Sequence, residues 1–145
     1  YNNLNNYDDI SFVDKKLKLV GTSYNYGISY EQNSVLERSV IFEETTSFKQ
    51  YKFDLGSTNK GSYDVLTSDN KNKDFVWYDK SLDISSLEKG RYAIIVYTKT
   101  KDVADYGEVS DVFGMINDAS AVINNKKYSI ILNKERNNRI ELIVE

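Results

Sequence analysis

The stretch RYAIIVYTK, residues 91–99, has apolar side chains on both faces of a strand. In an extended chain Tyr92, Ile94 and Val96 lie on one face, and Ala93, Ile95 and Tyr97 lie on the other. A strand that is apolar on both faces is buried on both sides, which is the position of a central strand. The stretch therefore predicts the central strand of a β-sheet.

Alternation of apolar and polar residues at period two recurs on both sides of this stretch. It predicts eight or nine strands, near 9–13, 16–26, 35–43, 49–54, 74–84, 91–99, 107–113, 127–133 and 139–144. The polar stretch 134–138, KERNN, predicts a β-hairpin over 127–145. We therefore expect an all-β, immunoglobulin-like two-sheet β-sandwich, with residues 9–145 as a single domain and 1–8 as a linker or tail.

The residues before the apolar stretch read LEKGRY, with Leu87, Gly90 and Tyr92 in an L-x-x-G-x-Y spacing. In immunoglobulin-like sandwiches a tyrosine near the start of a central strand bonds through its hydroxyl to backbone a few residues upstream. Gly90 would supply the tight turn into the strand. The spacing predicts such a tyrosine corner; the alternative is a glycine turn followed by an ordinary strand tyrosine.

Composition excludes most familiar catalytic machinery. The 145 residues contain no Cys and no His, so thiol nucleophiles, imidazole bases and the usual zinc ligands are absent. Paired carboxylates remain, but Glu43 and Glu44 would point to opposite faces of a strand, and Asp79 and Asp83 have no visible partner that would raise one pKa. We expect a domain that is not an enzyme.

Charge and hydropathy limit the partners. The net charge is −3, whereas a protein that grips phosphate backbones needs a basic excess or a basic stripe. One basic concentration exists, formed by Lys126, Lys127, Lys134, Arg136 and Arg139, and we interpret it as a solvated hairpin protected against edge pairing. No apolar run approaches the roughly 20 residues of a membrane helix. We expect no nucleic-acid partner, no membrane insertion and a covalent place in a longer multidomain chain.

An acidic cluster and several aromatic residues are the candidate binding groups. Asp102, Asp105, Glu108 and Asp111 lie within DVADYGEVSD, and carboxylates in a loop are ligands that calcium favours. The alternative is a solvated acidic loop. Tyr24, Tyr26 and Trp77 could stack on sugar rings, although aromatic residues more often fill sandwich cores.

Segments 17–28, 36–54 and 75–98 resemble an accessory β-sandwich module of Gram-positive cell-wall and surface proteins. The shared pattern is carried here by Gly21, Tyr24, Gly27, Asp83, Ile84, Ser85, Leu87, Gly90 and Tyr92. In those proteins the module accompanies wall-polymer glycosyltransferases and secreted hydrolases. The resemblance implies a secreted or cell-surface location and an accessory role, and it implies no catalytic residue.

Two functional hypotheses follow. The first is a binding module for a cell-wall polymer, a host glycan or a protein partner, with exposed aromatic residues grouped on one face or in a loop cleft. The second is a structural spacer that positions a neighbouring catalytic or adhesive domain. The spacer hypothesis predicts that Tyr24, Trp77 and Tyr92 are buried and that the two ends of the domain lie far apart.

Overall fold

Strands account for most of the residues that the computed structural model describes, which are 3–61, 69–110 and 119–145. Ten strands lie within these ranges: β1 (Asn3–Val13), β2 (Lys16–Asn25), β3 (Val35–Glu44), β4 (Gln50–Asp54), β5 (Trp77–Leu82), β6 (Gly90–Thr100), β7 (Ala104–Glu108), β8 (Ala119–Ile123), β9 (Lys126–Asn133) and β10 (Arg139–Val144). One 3₁₀ turn, Lys134–Arg136, joins β9 to β10 and completes the expected hairpin.

The strands form two sheets, which confirms the all-β two-sheet sandwich. The smaller sheet has the order β1-β2-β5, and the larger has the order β4-β3-β6-β10-β9-β8 with β7 also paired to β6. Strand β6 is central, as its apolar faces predict: β3 pairs along one side of it, while β10 and β7 share the other side. The immunoglobulin-like type of sandwich stays a prediction.

The main core lies between the two sheets. Leu17 and Leu19 of β2 meet Ile94 and Val96 of β6, and every one of these side chains is at most 3% exposed. Residues at even positions of β6 therefore point toward the smaller sheet, and residues at odd positions point away from it. This alternation divides the larger sheet into a core side and an outer side.

A polar layer crosses the core around Arg38 of β3, whose side chain is fully buried. Its guanidinium donates to the carbonyl oxygens of Ser23 (2.9 Å) and Trp77 (3.1 Å) and to the Thr98 hydroxyl (3.2 Å). These partners belong to β2, β5 and β6, so a single side chain connects both sheets. Burial lowers the pKa of Arg38 to about 10, which leaves it charged at neutral pH.

The tyrosine corner is present. The Tyr92 hydroxyl donates to the carbonyl oxygen of Glu88, four residues upstream, at 2.7 Å, and Leu87 is fully buried beside it. Gly90 serves a different purpose from the tight turn that the sequence suggested. It is the first residue of β6, and a Cβ there would lie 2.9 Å from Cγ of Glu44, so the glycine leaves room for the Glu44 side chain.

Several boundaries differ from the sequence prediction. Residues 3–8, expected as a linker or tail, belong to β1, where backbone pairing with β2 holds a segment that is too polar to read as a strand. Strand β7 ends at Glu108, earlier than the predicted 107–113, of which 111–113 lie outside the described residues. Strand β8 was not predicted, because it is only five residues long and its apolar and polar residues do not alternate clearly.

The strand register defines two ends of the sandwich. Asn25 pairs with Asn3 at the end where β3 begins and β6 finishes, and we call this the loop end. Val144 pairs with Gly90 at the opposite end, next to the tyrosine corner, and we call this the corner end. The first and last strands thus start and finish at opposite ends of the molecule. Within the described ranges no helix is long and apolar enough to cross a membrane.

Candidate functional site

The three aromatic residues proposed as a sugar platform do not share an exposed surface. Tyr24 is 1% exposed and packs with Tyr30, ring centroids 6.4 Å apart, so it cannot stack on a ligand. Trp77 is half-buried against the same cluster, and only Tyr26, just beyond β2, is exposed. Tyr24 is therefore corrected from a ligand-binding residue to a packing residue, and the ligand-binding role of Trp77 stays a prediction.

Two loops cover Tyr24 from outside the smaller sheet, and this packing is what the sequence did not reveal. The Tyr30 amide donates to the carbonyl of Asn72 at 2.7 Å, and the Asp69 carboxylate accepts from the Gly27 amide at 2.8 Å. Lys73 completes the closure, because its ammonium lies 3.0 Å from Asp69. Desolvation raises the pKa of Asp69, but the hydrogen bonds from Gly27 and Lys73 outweigh it and hold that pKa below its usual range.

The four carboxylates proposed for calcium do not converge among the described residues. Asp105 and Glu108 both lie in β7, three positions apart, so their side chains point to opposite faces of the strand. Glu108 instead pairs with Arg139 at 3.3 Å. Asp102 lies in the turn after β6, and Asp111 lies outside the described residues. No group of three or more acidic side chains suited to a metal occurs in the described part of the chain.

The basic concentration is partly used inside the fold. Lys126 donates to the carbonyl oxygens of Ser85 (2.9 Å) and Leu87 (2.7 Å), which anchors the β9 hairpin to the tyrosine corner. Arg139 is only 8% exposed and is bound to carboxylates. Lys127, Lys134 and Arg136 are exposed.

A pair of tyrosines lies on the outer side of the larger sheet. Tyr97 of β6 stands directly opposite Tyr106 of β7, with ring centroids 4.7 Å apart and planes inclined by 38°. Tyr106 is 62% exposed, whereas Tyr97 is half-buried. The ammonium of Lys52 lies 5.6 Å from the centre of the Tyr97 ring and is itself paired with Glu37 at 3.2 Å. Lys52 and Tyr106 thus both pack against Tyr97.

A charged network borders the tyrosine pair along β7 and β10. Glu108 follows Tyr106 on the same face of β7 and accepts from Arg139. Arg139 also donates to Glu141, which is fully buried and further bound by Arg91 (2.9 Å). Burial lowers the pKa of Arg139, but the contacts with Glu141 and Glu108 outweigh it and raise that pKa above its usual value. We call the surface formed by Glu37, Lys52, Tyr97, Tyr106, Glu108 and Arg139 the tyrosine face.

A second, polar depression lies at the loop end. Its lining includes Ser29, Asn33, Thr100, Lys101 and Asp102, which supply hydroxyl, amide and charged groups. Tyr26 belongs to the β2–β3 loop at this same end and is exposed. Among the sequence candidates, only Tyr26 and Asp102 are placed at exposed positions of this end.

Sequence reasoning missed Tyr97 and Tyr106 as a pair because it interpreted 102–111 as an acidic loop. The alternation Ala104, Tyr106, Glu108 against Asp105, Gly107 was the available signal for a strand. A short turn at 100–103 then places Tyr106 opposite Tyr97 by simple hairpin register. Glu108, proposed as a metal ligand, is the one sequence candidate that belongs to the tyrosine face.

The tyrosine face combines an exposed aromatic ring with ion-paired hydrogen-bonding groups, an arrangement that is suited to binding. The chain matches no protein-family model and no curated protein. Its function therefore has to be inferred from the geometry of its own residues.

Proposed function

We propose that this chain is a non-catalytic accessory module of a secreted or surface-attached bacterial protein, and that it binds a cell-wall or host glycan through the tyrosine face. The observation that carries the proposal is the Tyr97–Tyr106 pair, in which Tyr106 is exposed and Tyr97 supports it, bordered by ion-paired side chains. The binding hypothesis requires exposed aromatic surface on one face, and the Tyr106 ring supplies it. The accessory role and the secreted or surface location in this proposal rest on the resemblance to surface modules.

The chemistry of the tyrosine face suits a sugar polymer. Aromatic rings offer large apolar area at a small cost in conformational entropy, while the ring hydroxyl stays in water. Binding sites combine such apolar contact with a few fixed polar groups that orient the ligand. The accessible side chains of Lys52 and Glu108 are each held in place by an ion pair and can serve as those groups.

The test is direct binding of the intact domain to glycans. We expect retention on insoluble peptidoglycan or on a host glycan array, together with nuclear magnetic resonance shifts confined to the residues of the tyrosine face and their neighbours. Tyr26→Ala is a matched control, since Tyr26 is an exposed tyrosine at the loop end, away from this face. Shifts that cluster instead around Tyr26 and the loop-end depression would contradict the placement of the site.

A structural spacer is the second candidate function. It is favoured by the position of Asn3 and Val144 at opposite ends of the sandwich and by the burial of Tyr24 and Tyr92. Flanking domains would then be held apart by the length of the strands. Under this hypothesis an unrelated sandwich of equal length restores the function of the parent protein after exchange, whereas a binding module cannot be exchanged.

A further inference from the structure

We infer that the open side of the Tyr106 ring and the neighbouring Glu108 carboxylate form the ligand site, and that the ligand is a neutral pyranose with adjacent free hydroxyls. This inference rests on the proposed glycan-binding function and goes further, because it names the contact residues and the charge of the ligand. It is argued from ring geometry, from the Glu108 network and from charge balance.

The ring geometry selects Tyr106 over Tyr97. Tyr97 has the Tyr106 ring at 4.7 Å and the Lys52 ammonium at 5.6 Å, so its two neighbours leave it half-buried as a support. Tyr106 is 62% exposed although Tyr97 packs against it, which leaves most of its ring facing solvent at the edge of β7. A pyranose ring has one face of C–H groups that packs well on such an aromatic surface.

The network fixes Glu108 next to that ring. Its carboxylate is held by Arg139, and Arg139 is held in turn by the fully buried Glu141, which Asn133 also contacts at 3.2 Å. The side chain of Glu108 is still 54% exposed, so its oxygen atoms remain accessible to a ligand. The two oxygen atoms of a fixed, accessible carboxylate can accept hydrogen bonds from two neighbouring hydroxyl groups.

Charge balance indicates a neutral ligand. Apart from the exposed Lys99 near the loop end, the charged side chains on and beside this surface form ion pairs, namely Glu37, Glu108 and Glu141 against Lys52, Arg139 and Arg91, so three negative charges meet three positive ones. Each of these cations already has a carboxylate within 3.3 Å. A polyanion needs cations that can exchange their counterions for phosphates or carboxylates, and these cations are engaged. The hydroxyl groups of a neutral sugar can be bound by a surface that has no excess of positive charge.

The experiment measures affinity for two sets of polymers by native affinity electrophoresis and calorimetry. The neutral set contains a β-glucan, an α-glucan and chitin oligosaccharides; the anionic set contains wall teichoic acid and hyaluronan. We expect the wild-type domain to bind a member of the neutral set, and Tyr106→Ala to weaken that binding about tenfold. Tyr106→Phe keeps the ring and should stay within about twofold of the wild type.

Two further variants separate the contributions. Glu108→Gln keeps the shape but removes the charge that Arg139 holds, so we expect weaker binding with an unchanged fold by circular dichroism. Phe48→Ala is the matched control, because Phe48 is 69% exposed in the β3–β4 turn at the corner end. The affinity of this variant for the glycan should equal that of the wild type.

The outcomes distinguish the two proposals. If the wild-type domain binds no polymer of either set and is also not retained on peptidoglycan or the glycan array, the proposed function and this inference both fall. If it binds a glycan but Tyr106→Ala binds equally well, the glycan-binding function stands and the Tyr106 site is wrong. Binding to anionic polymers alone likewise overturns the inference of a neutral ligand.

Discussion

At the scale of single residues, buried polar side chains do work that a disulfide does in many sandwiches. The chain has no Cys, so no disulfide joins its two sheets. Arg38 connects three strands, and Tyr92 closes the corner between β5 and β6. Asp69 and Lys73 fasten the loops over Tyr24. Each of these interactions gives a measurable prediction.

Replacing Arg38 should destabilise the fold strongly. The hydrogen bonds that it donates among the described residues go to neutral oxygen atoms, and Arg38→Met removes all of these buried bonds at once. We expect a loss of about 3 kcal/mol in the free energy of unfolding, measured by urea denaturation. Arg136→Met, at an exposed position, should change it by less than about 0.5 kcal/mol. Equal midpoints for the two variants would contradict the bracing role of Arg38.

Removing the Tyr92 hydroxyl should weaken the corner without changing the core. Tyr92→Phe keeps the ring against Tyr51 but loses the bond to Glu88, and we expect a cost of about 1 kcal/mol. Desolvation raises the pKa of Tyr92 to about 12, above its usual value near 10. The contribution of Tyr92 is therefore fully present below about pH 10 and is lost as the pH rises toward about 12. The urea midpoints of the wild type and of Tyr92→Phe should therefore converge between about pH 10 and about pH 12.

Asp69 should make stability depend on acidic pH. Its pKa in the folded state lies below the usual value near 3.9, so its ion pair stabilises the fold above about pH 4 and is lost on further acidification. Asp69→Asn should cost roughly 2 kcal/mol at pH 7, because Lys73 stays buried without its partner. The difference from the wild type should shrink at pH 3. If the two free energies of unfolding differ by the same amount from pH 7 to pH 3, the Asp69–Lys73 ion pair is not the cause of the pH dependence.

At the scale of elements, β1 is a strand that forms through contacts with β7 and β2 and not through its own apolar pattern. The odd residues of β7 face the core side, where Gly107 lies under the side chains of Asn3 and Asn5. A side chain at 107 would occupy the space of the Asn5 amide, so the glycine allows β1 to continue past β7. The polar residues 3–7 become a strand through this contact and through pairing with β2, and neither is visible in their own composition.

Adding a side chain at Gly107 should loosen β1 locally. Gly107→Val places two methyl groups where Asn5 packs, so we expect faster hydrogen exchange in residues 3–7 and little change in β9 and β10. Ala104→Val is the matched control, since it enlarges an exposed residue on the opposite face of the same strand. Exchange mass spectrometry on peptic fragments measures both variants. Uniform acceleration across all strands would instead indicate global destabilisation.

At the scale of the whole molecule, the sandwich separates the acidic residues that the sequence placed together. Asp105 points toward the core side and Glu108 toward the outer side, while Asp102 lies at the loop end. A cation needs its ligands within one coordination sphere, which the described carboxylates do not provide. The sandwich instead joins Glu108 to Arg139, from a strand more than thirty residues away in the sequence.

Calcium should therefore leave stability unchanged. A ligand that binds only the folded state raises the melting temperature by mass action. We expect the same melting temperature in millimolar calcium and in excess chelator, within about 1 °C, measured by calorimetry. A rise in calcium that Glu108→Gln abolishes would show that the carboxylates do converge on a metal.

Features that depend on local periodicity and spacing can be predicted from the residues alone. The two apolar faces of 91–99 predict the central strand, the KERNN stretch predicts the last hairpin, and L-x-x-G-x-Y predicts the bond from Tyr92 to backbone upstream, which the structure shows at Glu88. Which aromatic residues reach solvent depends on the folded arrangement. Tyr24 and Tyr106 look alike in the sequence, but loops cover Tyr24, while Tyr106 stands on the outer side of an edge strand. The physical reason is that strand alternation gives the face of a side chain, whereas its exposure depends on contacts with distant segments.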